Sequence, residues 1–127
     1  MAVTATINTL AVNTLGVITA SAATSSVAGA TEVFTVVPTV RDQDVVIIIN
    51  NVAGDQGTLT YSIAAGDLWA AGSALTGSVA QGVSSAITLE GAKYKDDDGA
   101  ILITFTPATG KRLLTDHAMT VQVIQLP

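Results

Sequence analysis

The sequence contains no cysteine, which removes disulfide frameworks, thiolate nucleophiles and thiolate metal sites together. It holds one histidine, so a centre built on clustered histidines is excluded too. Charge is also scarce: Asp, Glu, Lys and Arg make up 12% of the residues, about half the usual share. The net charge is −5, and the five cations are Arg41, Lys93, Lys95, Lys111 and Arg112. They are too few for the basic stripe that phosphate recognition needs, so nucleic acid is not an expected partner. Mean hydropathy is positive at +0.55, yet no apolar run approaches the roughly 18 residues of a spanning helix, so a membrane is not expected either. No charged side chain precedes Glu32. The start therefore lacks the basic region of a secretory signal and reads as that of a cytosolic product.

What is present is 49% hydrophobic residues over 127 positions, enough for one domain, residues 1–127, with a core of its own. A monomer of this size normally covers itself with charge. Here either Thr, Ser, Ala, Gly and Asn take that place or part of the surface is covered in the working state, and the second is the expectation. Short β-rich runs alternate with turn residues throughout. "AVTATINTL" places Val3, Ala5 and Ile7 on one side. "TEVFTVVP" ends at Pro38, as a strand end or edge would. "DVVIIIN" carries five consecutive β-branched residues, Val45 to Ile49, and predicts a central strand covered on both faces. "TLTYSIAAG" alternates cleanly, with Leu59, Tyr61 and Ile63 inward. Further strands are predicted near Leu75 to Ala80, in "SSAITLEG", in "AILITFTP" and in "AMTVQVIQL". Short helical turns are expected around Asp67 to Ala71 and within "TPATGKRLLTDHA". The expectation is an all-β fold, an antiparallel β-sandwich or closely related barrel of about eight strands.

Residues 1–30 carry no charge. For "AVNTLGVITASAATSSVAGA" two readings stand: a strand from Val12 to Ala20 followed by a loop, or an arm lying against a neighbouring subunit.

Reactive chemistry finds little to use. His117 sits beside Asp116 in "LLTDHAMTV", but no G-x-S-x-G elbow accompanies the pair. Asp116 is instead expected to cap nearby backbone. The ten acids, Glu32, Asp42, Asp44, Asp55, Asp67, Glu90, Asp96, Asp97, Asp98 and Asp116, fall mostly in predicted turns, where Asp satisfies local N–H groups. Glu90 is placed to pair with Lys93. No Walker A, G-x-G-x-x-G or H-E-x-x-H motif occurs. The triplet Asp96-Asp97-Asp98 fails as an EF-hand: aligning Gly99 at the sixth position puts Tyr94 first and Phe105 twelfth, so both anchoring ligands are missing. Asp98-Gly99 reads instead as the turn of a hairpin between "ITLEGAKY" and "AILITF". No catalytic, cofactor-binding or metal-ligating residue is therefore assigned. Trp69, the single tryptophan, is either a plug between core and loops or an anchor for a partner or a sugar.

Three segments, "TYSIAAGDLWAAGSALTGSVAQG", "ITLEGAKYKDDDGAILITFTPATGKRLLTDHAMTVQVIQL" and the uncharged start, resemble small structural proteins of tailed-phage and prophage virions. The likeness is to head-decoration or other accessory proteins with β-sandwich folds. It spans roughly Val33 to Leu126 and rests on overall texture, without a diagnostic motif. The resemblance implies a non-enzymatic protein without cofactors, assembled in the bacterial cytoplasm into the virion. Its implied partners are the major capsid protein, or other virion proteins, and further copies of itself, with a trimer as the first expectation. The same texture admits a tail or tube component, and Trp69 with the turn acids admits a carbohydrate- or cell-surface-binding module.

Overall fold

The computed structural model describes residues 2–52, 56–67 and 72–127. It is an all-β sandwich in which each inner face is built by alternation. One sheet has the order β1 (Ala2–Thr4), β4 (Glu32–Val36), β9 (Ile101–Thr106), β6 (Leu59–Ile63), β7 (Leu75–Val79). The other runs β2 (Ile7–Thr9), β10 (Thr120–Gln125), β5 (Val45–Asn51), β8 (Val83–Ile87), with the two-residue β3 (Ser21–Ala22) also on β10. Phe34, Val36, Ile101, Ile103, Phe105, Leu59, Ile63 and Val79 line the first inner face. They meet Val45, Ile47, Ile49, Val121 and Val123 of the second. Phe34 and Phe105 form an edge-to-face pair, with ring centroids 5.2 Å apart at 87°.

Seven expected strands, those in "TEVFTVVP", "DVVIIIN", "TLTYSIAAG", "SSAITLEG", "AILITFTP" and "AMTVQVIQL" and the one near Leu75 to Ala80, fall where the sequence placed them. Three details differ. The sheets are mixed, since β1 runs parallel to β4 and β2 parallel to β10. "AVTATINTL" is two strands: the chain leaves the first sheet at the buried Ala5 and enters the second at Ile7. The run Val12 to Ala20 forms no strand. β5 does occupy an interior position, between β10 and β8. Its outward residues Val46, Ile48 and Asn50 are only half-buried, however, because among the described residues no element covers them as helices cover a parallel sheet. Asn50 is held there by side-chain bonds to Thr120, Gln122 and Ser84 across three strands.

The chain crosses from one sheet to the other at each lateral side of the sandwich. β1 passes into β2 on one side. On the other, β7 passes into β8 through a tight corner where Gly82 adopts φ 77° and donates its N–H to Asn51 O at 2.8 Å. The architecture is the sandwich of the two expected forms, since among the described residues no pairing joins the two sheets into a barrel.

Candidate functional site

At the end of the sandwich where β5 finishes and β10 begins, three polar side chains meet out of contact with water. His117, Asn51 and Gln56 are all fully buried or nearly so. Ala108 N donates to His117 Nε2 at 3.0 Å, which leaves Nδ1 to carry the proton. Nδ1 then donates to Asn51 Oδ1 at 2.9 Å. Gln56 Nε2 adds bonds to the same oxygen and to Asn51 O. Asn51 Nδ2 spreads its two hydrogens over Gly57 O, Val79 O and Ala80 O, at 3.0 to 3.2 Å. One side chain therefore ties the loop after β5 to the corner after β7, and His117 ties both to the loop after β9.

The sequence pulls His117 inward through its neighbours. Asp116 Oδ2 accepts from Arg112 N at 2.7 Å, the cap expected of it. His117 N and Asp116 N both return to Arg112 O, giving the helical turn anticipated in this segment. Ala118 takes a left-handed φ of 45°, a conformation that costs a residue with a Cβ about 1–2 kcal/mol. Burial lowers the His117 pKa below its ordinary 6.5, with Lys111 adding to the effect and Asp116 opposing it. Both ring nitrogens are committed to the protein, so the imidazole acts as a structural clasp.

Glu32, within the strand expected for "TEVFTVVP", is fully buried at the start of β4. It accepts from Thr24 N at 2.9 Å, from Ser25 N at 3.1 Å and from the Thr24 hydroxyl. The carboxylate thus pins the segment after β3 against the sheet. Nothing in "GATEVFTV" distinguishes this Glu from a solvated one, because its partners lie eight and seven residues upstream in a stretch without periodicity.

The opposite end carries most of the charges. Asp42, in a 3-10 turn, accepts from Lys95 Nζ at 3.0 Å and Gly91 N at 2.8 Å. These bonds, Lys95 first, hold its carboxyl below the usual value of 3.8. Lys93 and Glu90 pair at 3.4 Å, as the sequence indicated. Asp96, Asp97 and Asp98 bring carboxylate oxygens within 4.8 Å of one another. Asp96 Oδ1 is already occupied, accepting from Asp98 N and Ala100 N. Gly99 alone of the Asp98-Gly99 pair takes positive φ, at 78°. The expected hairpin reduces to a tight turn with one bridge, Lys95 to Ile101. β8 and β9 lie in different sheets, and a single helical turn, α1 (Gly91–Tyr94), separates them. Trp69, the partner-binding candidate, lies outside the described residues, as does most of the helical turn expected at Asp67 to Ala71.

Two surfaces stand apart from these structural clusters. The first is the loop between β2 and β3. Leu10 N is anchored on Gln125 O, and Thr19 is clamped to Asn8 by two bonds of 2.7 and 2.9 Å. Between the anchors the chain leaves the sandwich with Val12 69%, Leu15 99% and Val17 88% exposed. The second is the outer face of the first sheet, where Thr4, Val33, Thr35, Leu102, Thr104, Thr60, Ser62, Thr76 and Ser78 share one side by register and include no charge. No family model, curated protein or solved structure matches this chain.

Proposed function

We propose that the chain is a non-enzymatic structural protein of a phage virion, of the capsid-decoration type, working through packing between copies and against the shell. The observation that carries the reading is the loop between Leu10 and Thr19, which holds three aliphatic side chains in water. Covering a Val or Leu of this kind is worth about 1.5–3 kcal/mol per side chain, so the loop gains most when a partner surface receives it. The charge-free outer face of the first sheet supports the same reading. Such a face costs less to desolvate than a charged one, provided its hydroxyls find partners, and shallow contacts repeated around a symmetric assembly sum through effective concentration.

Light scattering and co-sedimentation test this. The expected result is a stable oligomer, with three times the 12.8 kDa of one chain as the first expectation, that pellets with expanded phage heads. A monomer that stays in the supernatant overturns the proposal.

A further inference from the structure

The loop that leaves the sandwich has a counterpart on the far side of the molecule. β8 is the last strand of its sheet, and among the described residues no strand pairs with its outer edge. Natural edge strands are commonly blocked by a charge, a proline or a bulge. β8 has none of the first two, and residues 68–89 carry no charged side chain at all. The core is also open along this edge. Val83, Ser85 and Ile87 stand opposite Asn51, Ile49 and Ile47 and so point inward. Their partners on β5 are buried, whereas Val83 is 40% exposed and Ser85 and Ile87 are only half-buried. An inward row that is still wet lacks a neighbour at its side.

The loop offers what that edge lacks. "TLGVI", Thr14–Ile18, is rich in β-formers and uncharged, yet among the described residues it pairs with no strand. Extended, it alternates, putting Leu15 and Val17 on one face. Its five residues match the five of β8, each spanning about 16 Å at the rise of a strand. We infer that residues 14–18 of one copy add as a strand to the free edge of β8 of a second copy, with Leu15 and Val17 covering Val83, Ser85 and Ile87. Main-chain bonds then supply affinity and the two aliphatic side chains supply register. The contact is heterologous, so each copy donates one loop and receives another. It closes into a ring where the rotation permits, and otherwise runs on as a filament.

This inference rests on the reading of the protein as a self-assembling structural component, and the test separates the two. The chain lacks cysteine, so introduced pairs report cleanly. Val17→Cys protein mixed with Ser85→Cys protein is expected to form a disulfide-linked dimer on mild oxidation. Val17→Cys mixed with Ser62→Cys, on the outer face of the other sheet, is not. Leu15→Asp with Val17→Asp is expected to reduce the oligomer to the mass of one chain. Far-UV circular dichroism should be unchanged, since both positions are exposed. An oligomer that survives the double substitution, or equal cross-linking in the two mixtures, overturns the inference and leaves the virion reading standing. Selective cross-linking in a protein that ignores phage heads supports the inference and removes the virion reading. A parent that is monomeric at every concentration overturns both.

Discussion

His117 and Asn51, 66 residues apart in the chain, are joined by a 2.9 Å hydrogen bond from Nδ1 to Oδ1 inside the protein. Through that bond three loops from both sheets share one fixed point. Replacing His117 by Ala removes two hydrogen bonds, strands Ala108 N–H, and leaves a cavity. The expected loss is about 2–4 kcal/mol in urea unfolding. An unchanged midpoint would mean that the loops hold without the clasp.

The same histidine makes stability depend on pH. In the unfolded chain it takes up a proton as the pH falls through about 6.5; in the folded protein burial delays that uptake. The folded state is therefore at full strength above 6.5 and weakens as the pH drops from there towards the lowered folded value. The slope is at most about 1.4 kcal/mol per pH unit. Chemical denaturation across this window should show the decline in the parent and its loss in His117→Gln. Asp42 acts lower: its contribution is present above 3.8 and is lost as the pH falls towards its depressed value.

Glu32→Gln keeps the shape of the side chain but turns an amide donor towards three donors. With Thr24 N, Ser25 N and the Thr24 hydroxyl no longer all satisfied, a loss of about 1–3 kcal/mol is expected. Faster amide exchange at Thr24 and Ser25 should accompany it. Uniform loss of protection over the whole sheet would place the effect elsewhere.

At the acidic turn, Asp96→Asn is expected to be neutral because an amide oxygen can still accept from Asp98 N and Ala100 N. Asp96→Ala should cost about 1–2 kcal/mol. Calcium at millimolar concentration is expected to leave the melting temperature of the parent unchanged. A rise that disappears in Asp97→Asn would give these carboxylates a ligand role.

Alternation was sufficient for the strands that build the core. "DVVIIIN" and "AILITF" bury every second residue on one side only, and period two records that directly. It did not reveal where the first strand changes sheets, because Ala5 is buried whichever sheet it joins. Nor did it separate a strand from a loop at Val12 to Ala20: β-branched residues fit a pleated surface, and pairing depends on whether an edge is near. The clasp was invisible for a different reason. In the sequence His117 stands out by its neighbour Asp116, whereas its partners Asn51 and Ala108 are brought to it by topology alone. Asp116 and the Glu90–Lys93 pair were legible because their partners lie within four residues.

The parallel pairing of β2 with β10 sets how the molecule bears load. The two strands run side by side in one direction, with Ile7, Asn8 and Thr9 beside Val123, Ile124 and Gln125. Tension applied between Ile7 and Gln125 must then slide one strand along the other and break those bonds at once, whereas peeling would break them singly. β2 and β10 thus form a mechanical latch within their sheet.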